Sequence, residues 1–297
     1  MIKKTTGEKV FYVFNVFLMS LLCFTILFPY MNVVAVSLND SSKSVSLGLM
    51  LVPKIFTLAN YRALLNDSGI IRAFFVTVAR IALSLALVIS INFMSAYALT
   101  RKGLPHRKLI IMFFFIPNFI SGGLIPNYIL YSWLKLLNNF WIYVLPGGFS
   151  LYYFILLRTY MGTIPDSLDE SARLDGASEI KIMLRIYLPL CLPMIATLAL
   201  LITIANWNDW TTTLYFMSNY KWSTLAFELY RVLQEHSRIM DLIEEARKLG
   251  QDIQMAATTT EGIKNAQIVI TTLPIIAVYP FLQKYFIKGL LIGGVKE

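Results

Sequence analysis

Charge is scarce in this chain. Asp, Glu, Lys and Arg together make up 14% of its 297 residues, whereas soluble domains carry about a quarter. Cysteine is nearly absent: Cys23 and Cys191 both lie in apolar stretches, which excludes a disulfide scaffold. The two histidines, His106 and His236, stand far apart in the chain and are too few for a metal cluster. Glycine and proline, at 15 and 11 residues, are too sparse for a collagen-like chain. What is abundant is apolar: 57% of the residues are hydrophobic and the mean hydropathy is +0.64. That combination excludes both disorder and a single water-soluble globular domain, and makes a lipid bilayer the solvent.

A spanning helix needs about 20 mostly apolar residues. Six stretches qualify: Phe11–Ser37, Arg72–Leu99, Leu109–Leu134, Phe140–Tyr160, Ile186–Trp207 and Ala266–Phe286. The first is too long for the apolar centre of a secretory signal, so it reads as a retained helix. The third carries Pro117, Gly122, Gly123 and Pro126, which predicts a break or kink. Pro146 and Pro280 sit in the fourth and sixth, where membrane helices tolerate proline better than soluble ones.

The net charge of +9 follows the rule that cytoplasmic loops of membrane proteins are basic. Arg101, Lys102, Arg107 and Lys108 crowd the short loop between the second and third spans. Together with Lys3, Lys4, Lys9, Arg158, Arg173, Lys181, Arg185, Lys284, Lys288 and Lys296 they place both termini in the cytoplasm. The basic excess is then membrane anchoring, not nucleic-acid binding. This leaves outer segments at 38–71 and 208–265 and one long inner loop at 161–185. The domains are then an N-terminal tail, first helix and outer segment (1–71), a five-helix core (72–287) and a cytoplasmic tail (288–297).

The inner loop is the most specific part of the chain. Pro165 and Asp166 predict a helix start, with Asp166 capping free N–H groups and Asp169 completing a weak capping box. Gly176 predicts a stop in left-handed backbone, and Ser178 predicts the cap of a second helix leading to the fifth span. Leu168, Ala172, Ala177, Ile180 and Leu184 form an apolar stripe with no lipid to bury it, suited either to packing on the protein's own loops or to a groove on a cytosolic partner.

Glu170-Ser171-Ala172, then Gly176, then Ile186-x-x-Pro189 resembles the EAA loop of ATP-binding-cassette importer permeases, with Ser171 in place of the usual alanine. Phe56-Thr-Leu-Ala-Asn-Tyr61, Asn206-Trp-Asn-Asp209 and the C-terminus from Tyr279 to Lys296 resemble the MalG-like carbohydrate-uptake branch of that family.

The resemblance implies an all-α polytopic membrane protein with six transmembrane helices and the type I ABC importer permease fold. It implies a bacterial inner-membrane permease that takes up a sugar, in particular an oligosaccharide. The partners it implies are a second permease subunit in a heterodimer, two cytosolic ATPase subunits, an extracytoplasmic binding protein and membrane lipid. Glu170, Ser171, Ala172, Asp175, Gly176, Ala177, Ile186 and Pro189 become an ATPase-coupling loop. Gly293, Gly294 and Lys296 become an ATPase contact, and Asn118, Asn127, Asn206 and Trp207 candidates for the translocation pathway.

No catalytic, cofactor or metal site is expected. Gly289-x-x-x-x-Gly294 is followed by Val295 and Lys296, which lacks the order a phosphate loop needs. ATP hydrolysis is therefore expected in a separate subunit. Competing readings keep the fold with a non-sugar solute, or make the chain a stand-alone carrier. The segment 222–250, with Leu225, Leu229, Val232, Leu233, Ile239, Leu242, Ile243 and Ala246 at helical spacing, predicts an amphipathic helix.

Overall fold

The computed structural model describes residues 5–40, 49–101, 103–120, 122–249, 260–277 and 280. The regular secondary structure of the described residues is helical, with one isolated bridge between Asn39 and Phe56. The chain divides into two compact units: residues 1–68 with 229–273, and residues 69–228 with 274–297.

In the first unit, α1 (Thr6–Ser37) begins with a reciprocal capping box between Thr5 and Glu8. Apolar side chains from Val10 to Leu27 are exposed, and burial begins only at Ala35. A helix that is apolar all round and exposed is suited to lipid. Its far end is tied down by the motif seen in the sequence. The Ser37 and Tyr61 hydroxyls are 2.7 Å apart, and Asn60 Nδ2 donates to the carbonyls of Ser37 and Asn39. Asn39 Oδ1 in turn accepts from the backbone of Lys54 and Ile55. The Phe56–Tyr61 signature is thus a buckle between α1 and α2 (Ala59–Asn66).

The second unit is built on α3 (Ser68–Thr100). With α1, it is one of two described helices long and apolar enough to cross a membrane unaided. The third apolar stretch is broken as its sequence predicts. α4 (Arg107–Phe115) runs into a 3-10 turn, Ile116–Phe119, and α5 (Leu124–Trp133) leaves at 118°. Gly123, at φ +80°, supplies the left-handed backbone for this reversal.

The fourth stretch differs from expectation. Phe140–Tyr160 is not one helix: a 3-10 turn, Phe140–Tyr143, is followed by irregular backbone, and only α6 (Leu151–Met161) is α-helical. Pro146-Gly147-Gly148 stops the helix, and the freed backbone groups find a partner in α3. Fully buried Asn92 donates to the Gly148 carbonyl (3.1 Å) and accepts from the Ser150 N–H (3.1 Å). Apolarity alone made this stretch look continuous.

α7 (Asp166–Leu174) and α8 (Glu179–Ile182) follow. A π turn at Met183–Tyr187 leads into α9 (Leu188–Leu190) and α10 (Leu192–Asn208), with a 74° bend between them. Pro189 and Pro193 each withhold an N–H from the helical ladder, which accounts for the π turn and the bend. α11 (Thr211–Phe216), α12 (Leu225–Lys248) and a helix over 260–277 complete the described elements. α12 covers most of the predicted amphipathic segment. Leu225 and Ile243 are buried, but Leu233 and Leu242 remain exposed. The core of the second unit packs Phe93, Ala96 and Tyr97 of α3 against Phe154, Leu157 and Met161 of α6 and against Ile182, Tyr187, Met194, Leu198 and Ile202.

Candidate functional site

The loop at 161–185 is a two-helix elbow. Its corner follows the local sequence closely. The Ala177 N–H bonds to the Ala172 carbonyl and the Gly176 N–H to the Arg173 carbonyl, both at 3.0 Å, forming a Schellman closure. Gly176 takes φ +74°, the conformation that favours glycine. Ser178 caps α8 through the Lys181 N–H. α7 starts at Asp166 as expected, but its cap differs. Pro165 occupies the N-cap position, and Asp166 lies one residue inside the helix. With Pro165 at the N-cap, Asp169 is out of register for a capping box, and its Oδ2 pairs with Arg101 instead.

Arg101, just past the end of α3, is the hub of the elbow. Its guanidinium lies 4.1 Å from the Tyr97 ring centroid and 5.0 Å from that of Tyr187. It reaches Asp169 at 2.5 Å and Glu179 at 3.4 Å, and bonds the Tyr97 hydroxyl. Tyr97 Oη also donates to Glu179. Arg173 bridges the same two acids, at 3.4 Å from Asp169 and 2.7 Å from Glu179. Burial opposes the charge on Arg101, but the bonds to Asp169 and Tyr97 outweigh it and raise its pKa. α7, α8 and the end of α3 are therefore joined by a network of charge-assisted bonds.

The predicted stripe divides at this elbow. Ala172 and Ala177 pack on the chain's own core, as does Ile186. Leu168, Ile180 and Leu184 are exposed, and Leu174, absent from the sequence reading, is 89% exposed. Glu170, Ser171, Asp175 and Pro189 are also exposed. Glu170 lines a groove of about 670 Å³ with Arg173, Leu104 and Pro105. Gly293, Gly294 and Lys296 lie outside the described residues.

A second cluster surrounds Arg80, the charge inside the second span. Arg80 is 5% exposed. It reaches Asp209 at 2.5 Å, donates from Nε to Asn206 Oδ1 at 2.9 Å, and lies 4.7 Å from the Tyr143 ring centroid. Burial would raise the Asp209 carboxyl. The Arg80 charge and hydrogen bonds from Thr212, Arg80 and Thr211 outweigh this and hold it at about 2. The sequence signal for the pairing was available. A charge inside a span calls for a counter-charge, and Asp209 closes the Asn206-Trp-Asn-Asp209 motif.

The four pathway candidates separate. Asn118 and Asn206 line one half-open cavity of about 590 Å³. Trp207 is buried edge-on to Phe74 and lines a smaller apolar pocket with Val78 and Ile204. Asn127 is exposed on α5.

Comparison with known proteins accords with this architecture. A family described as "Binding-protein-dependent transport system inner membrane component" matches residues 105–292. Protein LplC of Bacillus subtilis (strain 168) is 35% identical over 294 residues, which cover 98% of this chain and 97% of LplC. The polygalacturonan/rhamnogalacturonan transport system permease protein YtcP of the same organism is 32% identical, covering 90% of this chain and 92% of its own. Among solved structures, a chain of a bacterial ABC transporter involved in the import of the acidic polysaccharide alginate superposes with a TM-score of 0.82. The identity is 24%, with 96% of this chain and 100% of that one covered, so the likeness is one of fold.

Proposed function

The chain belongs to the family of inner-membrane components of binding-protein-dependent transport systems, and from that premise we propose that it is the permease subunit through which an ATP-driven importer admits an oligosaccharide. The observation that carries the reading is the elbow at 161–185. It offers exposed Glu170, Leu174 and Ile180 to a partner while Arg101 fixes it to the membrane core.

In this reading the elbow faces the cytoplasm, both termini lie on that side, and a cytosolic ATPase grips the elbow. Glu170 pairs with a basic residue of the ATPase, and Gly176 keeps the corner tight. Ser171, Ala172, Asp175 and Ala177 shape the surface, and Ile186 and Pro189 lead its movement into the fifth span. The C-terminal Gly293, Gly294 and Lys296 add a second contact. The complex comprises this chain, a second permease, two ATPase subunits and an external binding protein. A sugar cargo is supported by the similarity to YtcP, a polygalacturonan/rhamnogalacturonan transport system permease protein, over 90% of this chain.

Purification of the tagged chain from its own membrane in mild detergent, with mass spectrometry of what accompanies it, tests the assembly. Recovery of a second permease, an ATPase and a binding protein is expected. Recovery of the chain alone after crosslinking would favour a stand-alone carrier. Uptake of radiolabelled oligosaccharides by cells with and without the chain then tests the cargo.

A further inference from the structure

Two arginines meet at the end of the apolar stretches that borders the elbow. Arg107 opens α4, and Arg158 lies in the last turn of α6, just before the loop at 161–185. The two helices run antiparallel. Phe114, near the end of α4, meets Phe149, just before α6, with ring centroids 4.8 Å apart. Ile110 and Ile111 pack on the core that holds Leu157 and Met161. From the ring contact, Arg107 lies about 10 Å back along α4 and Arg158 about 13 Å on along α6. This register brings the two side chains together, close enough for the charge of Arg107 to oppose that of Arg158.

The pair lacks the compensation seen elsewhere in the unit. Arg80 and Arg101 each hold an acid at 2.5 Å. Among the described residues, neither Arg107 nor Arg158 takes part in an ion pair. Both are partly buried, and Arg158 Nε is buried with no hydrogen-bond partner among the described residues. Membrane anchoring by a basic loop asks only for exposed charge, as at Lys108. Two like charges drawn together, half covered and with a donor left over, call for an anion from outside the chain.

The surroundings select that anion. Guanidinium groups bind phosphate oxygens by paired, charge-assisted bonds. Towards the hydrocarbon the surface below the arginines is apolar and open. Met112 and Phe114 are exposed on α4, and Ile155, one turn from Arg158, is exposed on α6. Cationic groups at the membrane boundary above an exposed apolar strip match the two ends of a phospholipid, and basic pockets between spanning helices suit its headgroup. A free phosphate or an acid on a soluble partner would leave the apolar strip unused.

We infer that Arg107 and Arg158 form a headgroup site for an anionic phospholipid, with the lipid phosphate between the two guanidinium groups and an acyl chain along α4 and α6. The site goes beyond the importer reading, since it requires neither a cargo nor an ATPase.

The test is native mass spectrometry of the purified full-length chain, stripped of lipid in mild detergent. It is titrated with phosphatidylglycerol or with phosphatidylcholine of the same acyl chains. Phosphatidylglycerol should bind at least about tenfold more tightly, the scale of one charge-assisted bond. Arg107→Gln and Arg158→Gln should each remove about that factor and leave phosphatidylcholine binding unchanged. Arg158→Lys should recover only part of it, because an ammonium lacks the fork. Arg185→Gln, at an exposed arginine beyond the elbow, should bind as the native chain does. Equal affinity for the two lipids would overturn the site. So would an equal loss in Arg185→Gln, which would reduce the arginines to general anchoring charge. Displacement of phosphatidylglycerol by millimolar inorganic phosphate would mean a site for free phosphate, and would overturn the lipid assignment. Melting without lipid guards against misfolding. The double variant Arg107→Gln, Arg158→Gln should melt no lower than the native chain, since it removes a repulsion and orphans no acid. A fall would mean that the arginines bond within the chain, which would also overturn the site.

Discussion

Two arginine clusters of the second unit, one within α3 at Arg80 and one just past its end at Arg101, are built differently. Around Arg80 the pair is enclosed: the arginine is 5% exposed, its acid comes from the residue just after α10, and the remaining carboxylate capacity is filled by Thr211 and Thr212. Around Arg101 the network opens outward. Its acids, Asp169 and Glu179, lie on two different short helices, and Arg173 and Glu179 are about half exposed. The first arrangement joins two spans into one body. The second joins a span to a surface element that ends in an exposed leucine. On the importer reading proposed above, the closed network is the scaffold and the open one belongs to the part that the ATPase would move.

The largest expected effect breaks the closed cluster. Arg80→Ala or Asp209→Ala leaves a buried charge alone, which costs about 3–5 kcal/mol in comparable cases. Melting in detergent should shift sharply downward for either single variant. Replacing both by apolar residues of similar size (Arg80→Met with Asp209→Leu) should recover most of the loss, because the penalty comes from the orphaned partner. Singles that melt like the native chain would remove the scaffold assignment.

Breaking the open cluster should do something else. Arg101→Ala should leave the melting temperature closer to native than Arg80→Ala does, yet abolish most uptake while ATP hydrolysis by the complex persists. Arg101→Lys should restore little, since a point charge cannot serve Asp169, Glu179 and two ring faces together as a planar guanidinium does. The ratio of ATP hydrolysed to sugar moved is the quantity to measure. An unchanged ratio would reduce Arg101 to an anchor.

Both clusters were half legible in the sequence. The elbow could be read because its rules are local: glycine at a left-handed corner, serine at a cap, apolar spacing of a helix. Its fastening could not, because Arg101 and Asp169 are 68 positions apart, and a basic residue in a short loop already had a sufficient explanation in membrane anchoring. Asp169 was assigned to its own helix end for the same reason, and the long-range partner won. The interrupted fourth stretch was misjudged because apolar composition measures affinity for lipid and says nothing about backbone continuity. The signal was Pro146-Gly147-Gly148, and its confirmation was a buried amide, Asn92, on a different element.

Smaller effects sharpen the comparison. At the elbow corner, a methyl group on Gly176 meets nothing within 4 Å. Gly176→Ala therefore carries only the conformational penalty of left-handed backbone, about 1 kcal/mol. It should loosen the corner and lower uptake several-fold without preventing assembly, and Gly176→Asn should be milder because asparagine tolerates that conformation.

Acid provides the mildest perturbation and acts on the closed cluster. In the folded chain the Asp209 carboxyl titrates at about 2, below the ordinary aspartate value of about 3.9. A group whose folded pKa is depressed contributes stability that is complete above its unfolded pKa and lost as pH falls through the folded one. The Asp209 contribution should therefore be flat from neutral pH down to about 4 and fade between about 4 and 2. Melting of the native chain and of the Arg80→Met, Asp209→Leu variant across that window isolates it: the native curve should fall more steeply, and the gap between the two should narrow. Parallel curves would mean that Asp209 is not held ionised by Arg80, and that the enclosed pair is a contact of shape without the charge that distinguishes it from the elbow.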